Sequence, residues 1–197
     1  METLNSIITN KITSNQGKIF SIHDFYDLGK KNTVKSILYR LYEENKIVRL
    51  VDGLYTAPKY SNILKEVSYP TATEVAYKIA DKFSWTITPT GELALNITGL
   101  STQVPNEYIF VSDGPYREYM YRNKKIIFKH TTNRNITNFS YELAILIQAI
   151  RALGKENIND SNLKKLSDFR KIVKEDFNKS ILKLPFWIQE VLKKIEA

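Results

Sequence analysis

The sequence predicts an α+β chain: an N-terminal winged helix-turn-helix, then a mixed α/β domain ending in a helical tail. Three observations predict it. Val34, Ile37, Leu38 and Leu41 form one apolar stripe at helical spacing, just after a tight Gly-containing turn. Asp52-Gly53 separates two β-rich runs, Ile47-Val48-Arg49-Leu50-Val51 and Leu54-Tyr55-Thr56, which is a strong hairpin signal. Beyond Pro70, helical and β-branched runs alternate, with no internal repeat and no low-complexity segment.

Taken in order, a first helix is expected over residues 4–12, where Leu4, Ile7, Ile8 and Ile12 give a rough helical period. Ile19-Phe20 reads as a short strand. Ser21, with Asp24 three positions on, is a capping-box pair opening a short second helix that stops near Leu28-Gly29. After the turn Gly29-Lys30-Lys31-Asn32, Thr33 is the expected N-cap of the third helix. Helix, helix, helix, hairpin is the order of a winged helix, so residues 1–62 form the expected DNA-binding domain. A linker near residues 57–69 leads to the second domain, 70–197.

In that second domain a helix is expected from Thr71 or Thr73 to about Phe83, a strand over 85–88 stopped by Pro89, and a helix over 91–97 ended by Gly99. Thr90 is the favoured cap of that last helix. Residues 108–111 read as a buried strand. Tyr119-Met120-Tyr121 and Ile126-Ile127-Phe128 flank a second hairpin; with Asn123-Lys124 as its loop, Tyr121 would face Ile126. Residues 139–153 are apolar nearly all round, a buried central helix stopped by Gly154. Leu163, Leu166, Phe169, Ile172 and Val173 mark a further amphipathic helix, and Pro185 suits the first turn of the last one.

Composition limits the function classes. The chain has 197 residues, 43% hydrophobic and 25% charged, so it is long enough to bury a sizeable core. It has no cysteine, which removes disulfides, thiolate metal sites and cysteine nucleophiles. No apolar run reaches the ~18 residues of a membrane span, and the N-terminus lacks the pattern of a secretory signal. A cytoplasmic location, away from membranes, is therefore expected. His23 and His130 are the only histidines, and no HExxH, GxSxG, P-loop or GxGxxG is present. No catalytic residue, cofactor or metal is expected. Glu74, Glu92, Asp113 and Lys129 lack the spacing of a metal-dependent nuclease.

The charge balance is +8, which suits a polyanionic partner. It is spread evenly: 9 basic against 6 acidic residues over 1–62, 9 against 7 over 63–137, and 11 against 8 over 138–197. Local patterning must therefore locate a site. The free face of the third helix carries Lys35, Ser36, Tyr39 and Arg40, with Lys31 just before it and Thr33 at its start. In a major groove Arg reads guanine and Ser reads either base type. Lys30, Lys31 and Lys46 suit phosphates. On the hairpin, Arg49 is the one nearby cation and Asp52 would repel a DNA backbone. The run from Tyr116 to Lys125 interleaves tyrosines with Arg117, Arg122, Lys124 and Lys125; the tyrosines read as sheet core and the cations as a secondary phosphate patch.

The stretch FSIHDFYDLGKKNTVKSILYRLYEENKIVRLVDGLYTAPKYS resembles the N-terminal winged helix of the AbiEi antitoxins of bacterial type IV toxin–antitoxin (abortive infection) systems, which act in phage defence. The likeness is carried by Asp24-Phe25, Asp27-Leu28-Gly29, Leu38 with Arg40-Leu41, Ile47 with Arg49-Leu50, and Gly53-Leu54-Tyr55 with Pro58. Pro89-Thr90-Gly91, Ala94-Leu95-Asn96, Gly99-Leu100-Ser101-Thr102-Gln103 and Asp113-Gly114 resemble the second domain of the same proteins, so the resemblance covers about residues 16–155. Family wings often carry a further basic residue or glycine where this chain has Val51-Asp52. The resemblance implies an antitoxin without catalytic activity. It would repress its own operon by binding double-stranded promoter DNA, as a candidate homodimer on an inverted repeat. It would also counteract a co-encoded nucleotidyltransferase-type toxin, with no stable complex required. The rival reading is a protein–protein module that binds a toxin directly without specific DNA binding.

Overall fold

The computed structural model describes residues 3–63, 65–132, 136, 138–177 and 181–196. The chain is mixed α+β and divides into two compact units, Met1–Ser84 with Met120–Arg122, and Trp85–Tyr119 with Asn123–Ala197. The division falls after Ser84, so the expected linker at 57–69 lies inside the first unit. Among the described residues, no helix is long and apolar enough to cross a membrane.

In the first unit, α1 (Leu4–Thr13) is capped by the Thr3 side chain, which accepts from Ser6 N–H. Strand β1 (Ile19–Ser21) leads into a single 3-10 turn, Ile22–Phe25, in place of the expected second α-helix. The Ser21/Asp24 capping box is present, but the residues after Phe25 make isolated turns and no further helical ladder. Helix α2 (Lys31–Glu43) starts three residues earlier than expected, with Lys30 and not Thr33 as its N-cap. Val34, Ile37, Leu38 and Leu41 are buried as their spacing requires. The helix stops in a Schellman arrangement: Asn45 takes φ 55°, its N–H donates to Tyr42 O, and Lys46 N–H donates to Leu41 O.

Strands β2 (Val48–Val51) and β3 (Leu54–Thr56) turn back on Asp52-Gly53 as expected, and Gly53 supplies the positive φ of 73° that the turn needs. The register shifts between Arg49 and Val51, which leaves one extra residue in β2, a bulge. β3 also pairs antiparallel with β1, giving the order β1-β3-β2. Between this sheet and the helices lies one core of Ile8, Ile12, Phe20, Phe25, Val34, Ile37, Leu38, Leu41, Ile47 and Ala57. A small antiparallel pair, β4 (Lys59–Ser61) and β5 (Glu66–Ser68), follows where only a linker is expected. Helix α3 (Ala72–Phe83) carries the full Thr71/Glu74 capping box. It belongs to this unit because it packs along β1 and because Lys78 bonds Asp24 at 2.8 Å.

The second unit is built on the sheet β6-β7-β9-β8: β6 (Ile87–Pro89), β7 (Glu107–Ser112), β9 (Lys124–His130) and the edge strand β8 (Arg117–Tyr121), whose last two residues, Met120 and Tyr121, count with the first unit. β7 is antiparallel to β6 and parallel to β9. The turn between β8 and β9 is Arg122-Asn123, one residue earlier than expected, so Lys124 is in β9. Phe128 is the centre of an aromatic cluster, 5.6 Å from Trp85 and 5.9 Å from both Phe110 and Tyr119 between ring centroids.

Helix α4 (Glu92–Ile97) is capped by Gly91, not Thr90. The Thr90 hydroxyl instead donates to the buried Gln148 Oε1 at 3.0 Å. Gln148 lies on α5 (Tyr141–Leu153), the buried central helix, where residues 143–150 are all buried. α6 (Asp160–Arg170) and α7 (Phe186–Glu196) close a second core over α5. α6 ends at Arg170, short of the expected Ile172 and Val173. Pro185 stands just before α7, and its carbonyl accepts from Ile188 and Gln189 N–H.

Candidate nucleic-acid interface

The apolar stripe that buries α2 decides what the helix shows to solvent. At about 100° per residue, Asn32, Ser36 and Tyr39 lie opposite the stripe. Lys31 and Lys35 flank them on one side, with Thr33 and Arg40 on the other. All seven are exposed, and Tyr39 is 61% accessible. The same face turns acidic at its end, with Glu43 and Glu44, so the cationic part is the first two and a half turns. Ser36 Oγ donates back to Asn32 O at 2.9 Å, which keeps that hydroxyl close to the helix.

The β2–β3 hairpin stands beside this face. Lys35, Ser36 and Tyr39 share an open cleft of about 470 Å³ with Arg49, Asp52 and Tyr55. The fold therefore brings four of the expected residues together across two elements: Lys35, Ser36, Tyr39 and Arg49. Lys31 lines a neighbouring cleft. Thr33 and Arg40 line neither; they extend the exposed helix face. Arg49 is not a free cation, because its guanidinium donates to the Asp52 carboxylate within the hairpin. Asp52, 85% accessible, is thereby neutralised in place, which removes the repulsion expected from it. Lys46 bonds Glu44 at 2.7 Å, an exposed pair that leaves little net charge for a phosphate. The Glu44 carboxyl is held below its ordinary range first by that hydrogen bond.

Two residues were missed in the sequence. Asn32 sits in the centre of the exposed face, and its spacing of four and seven from Ser36 and Tyr39 is the signal that could have found it. Lys82, thirty residues from the hairpin, donates from Nζ to Asp52 O at 3.2 Å. It lines a second cleft, of about 280 Å³, with His23, Tyr26, Lys31, Lys35 and Gly53. Only the packing of α3 on this unit brings it there.

Elsewhere the candidate chemistry dissolves into structural duties. Glu74 caps α3, and Asp113 Oδ1 accepts from Thr86 N–H at 2.9 Å. His130 Nδ1 bonds Gly114 O at 2.9 Å, and the His23 ring lies tilted against Tyr26, 4.9 Å between centroids. Among the described residues, no group of three or more His, Asp or Glu side chains is placed to hold a metal. In the β8–β9 hairpin, Tyr121 is buried and donates to Pro70 O, Lys125 pairs with Glu118 at 2.8 Å, and Arg122 lies over the Tyr69 ring. That hairpin is a weaker candidate than α2.

No curated protein matches this sequence. A family of unknown function, DUF6088, matches residues 7–180, which spans both units. The chain belongs to the DUF6088 family.

Proposed function

We propose that this chain is a DNA-binding antitoxin of the AbiEi type that represses its own promoter and counteracts a co-encoded nucleotidyltransferase-type toxin. In this reading the first unit is a winged helix, α2 enters the major groove, and the chain has no catalytic activity of its own. The observation that carries the DNA-binding part is the exposed face of α2. Lys31 and Lys35 have no acidic partner among the described residues, and they stand beside the polar row Asn32, Ser36 and Tyr39. Such a face offers base-reading donors in its middle and phosphate contacts at its edge. The sheet order β1-β3-β2 next to it is the arrangement a winged helix uses to present its hairpin. The antitoxin part rests on the sequence resemblance, which extends into the second unit.

The test is a salt series of binding to duplex DNA from upstream of the chain's own operon, against a scrambled duplex. The expected result is tight, specific binding that weakens steeply as salt rises. The double variant Lys35→Glu, Arg40→Glu is expected to lose at least about a hundredfold in affinity, since two attractive contacts become repulsive. Both positions are exposed, so its thermal melt is expected to match the parent. Equal affinity of variant and parent overturns the assignment of α2. Sequence-blind, weak binding by the parent overturns promoter recognition and favours direct capture of a protein partner.

A further inference from the structure

Beside the α2 face lies a cleft that the groove-reading residues do not explain. Its walls are the 3-10 turn, the start of α2, the tip of the β2–β3 hairpin and the last turn of α3, all within the first unit. Three lysines line it, Lys31, Lys35 and Lys82, together with the exposed His23. The one carboxylate on its wall, Asp52, is already bonded to Arg49. Three lysines on one small open cleft make it electropositive, which favours an anion there.

Lys82 is the informative member. Its side chain is half-buried, and one of its three N–H donors is fixed on the Asp52 carbonyl at 3.2 Å. The ammonium is thus held at the hairpin tip while other donors remain for a ligand. Gly53 leaves the room for it: a Cβ there would lie 2.7 Å from Nζ. The hairpin itself contributes no net charge, because Arg49 and Asp52 cancel. A winged helix normally uses that tip to grip the DNA backbone, and here the cation at the tip comes from a different helix.

We infer that Lys82, with Lys31 and Lys35, forms a seat for a phosphodiester of the DNA backbone, so that α3 is a third DNA-contacting element alongside α2 and the hairpin. This rests on the DNA-binding reading above and deepens it. The contact is to phosphate, so it adds affinity and orientation and carries no sequence information.

The experiment is the same salt series on the full chain, with Lys82→Gln and Lys82→Arg beside the parent, on promoter and scrambled duplexes. Lys82→Gln is expected to weaken binding to both duplexes by a common factor of about three to ten, and to lower the slope of log affinity against log salt by about 1. The ratio between duplexes is expected to stay at the parent's value. Lys82→Arg is expected to keep the parent's slope, because it keeps the charge. A Lys82→Gln protein with the parent's affinity and slope on both duplexes overturns the seat and leaves α2 recognition standing. A Lys82→Arg protein that falls as far as Lys82→Gln also overturns it, since the loss would then come from the disturbed hairpin tip. A parent that binds neither duplex in a salt-dependent way overturns both readings together.

Discussion

The tie between Asp24 and Lys78 joins α3 to the first unit beside its packing on β1, and its energy follows from its geometry. Asp24 Oδ2 accepts from Ser21 N–H at 2.6 Å and from Ser21 Oγ at 3.0 Å, while Oδ1 accepts from Lys78 Nζ at 2.8 Å. Lys78 also reaches Asp81 at 2.9 Å. The side chains of Asp24 and Lys78 are only 29% and 17% accessible, so neither is well screened by water. Losing the cap costs about 1 kcal/mol, and losing a charge-assisted bond about 1.5–3 kcal/mol. The second figure shrinks because Asp81, 69% accessible, still compensates Lys78. Asp24→Ala is therefore expected to cost about 2–3 kcal/mol and Lys78→Met about 1–2 kcal/mol. The double variant should fall short of their sum by a coupling of about 1 kcal/mol. Asp24→Asn keeps an acceptor for Ser21 and isolates the charge. The assay is native-state amide exchange of the α3 backbone, backed by thermal melts. Costs that add to within ~0.3 kcal/mol refute the tie.

The same pair sets a pH signature. Burial alone would raise the Asp24 carboxyl; the hydrogen bonds from Lys78 and Ser21 outweigh it and hold the group below its ordinary value of 3.8. A carboxyl lowered in the folded state stabilises fully above its unfolded pKa, and the gain disappears as pH falls through the folded value. Burial would lower the Lys78 ammonium, but Asp24 and Asp81 outweigh that and raise it above 10.5. Its contribution is complete below 10.5 and is lost as pH rises through the higher folded value. The stability gap between parent and Asp24→Asn is thus expected to be flat from about pH 5 to 10 and to close in acid.

Two further substitutions probe the glycines. Gly114→Ala places a Cβ 2.4 Å from the Trp85 indole, against a ring packed on Phe128, and is expected to cost about 1–3 kcal/mol with a shift in tryptophan emission. Unchanged stability and emission would mean that the ring moves freely. Gly53→Ala forces a side chain onto φ 73° and toward Lys82 Nζ, so a loss of about 1–2 kcal/mol is expected in a thermal melt. An unchanged melt would show that the turn relaxes.

The parts legible in the sequence are those written by side-chain burial. The α2 stripe, the Asp52-Gly53 turn, the start of α3 at one of the two expected threonines, Thr71, and the buried α5 with its Gly154 stop all follow from residue type and spacing. The β4–β5 pair was invisible because it buries almost nothing: its residues are exposed but for Ser61, and backbone pairing leaves no alternation to read. The start of α2 was misjudged because Thr33 competes well for a cap in isolation, whereas the observed cap, Lys30, makes no side-chain bond at all. The cap expected at Thr90 fails for a tertiary reason: Gln148, fifty-eight residues on, claims its hydroxyl. Of the candidate interface, the helix face was legible from α2 alone. The neutralisation of Asp52 by Arg49 and the arrival of Lys82 were not, because both depend on where elements meet in space.

The parallel ladder between β7 and β9 also fixes an order in time. Its partners stand 18 positions apart in every pair, from Glu107 with Lys125 to Ser112 with His130. β8 has to leave the sheet's centre and return along its edge before the first of those pairs can close. That closure spans a short loop, whereas the core between α5 and α7 joins segments at least 33 positions apart, from Leu153 to Phe186, a longer and costlier loop to close. During refolding, amide protection in β7 and β9 should therefore precede protection where α7 docks on α5. The chain emerges from the ribosome in the same order, with both sheet strands synthesised before the helices that close after them.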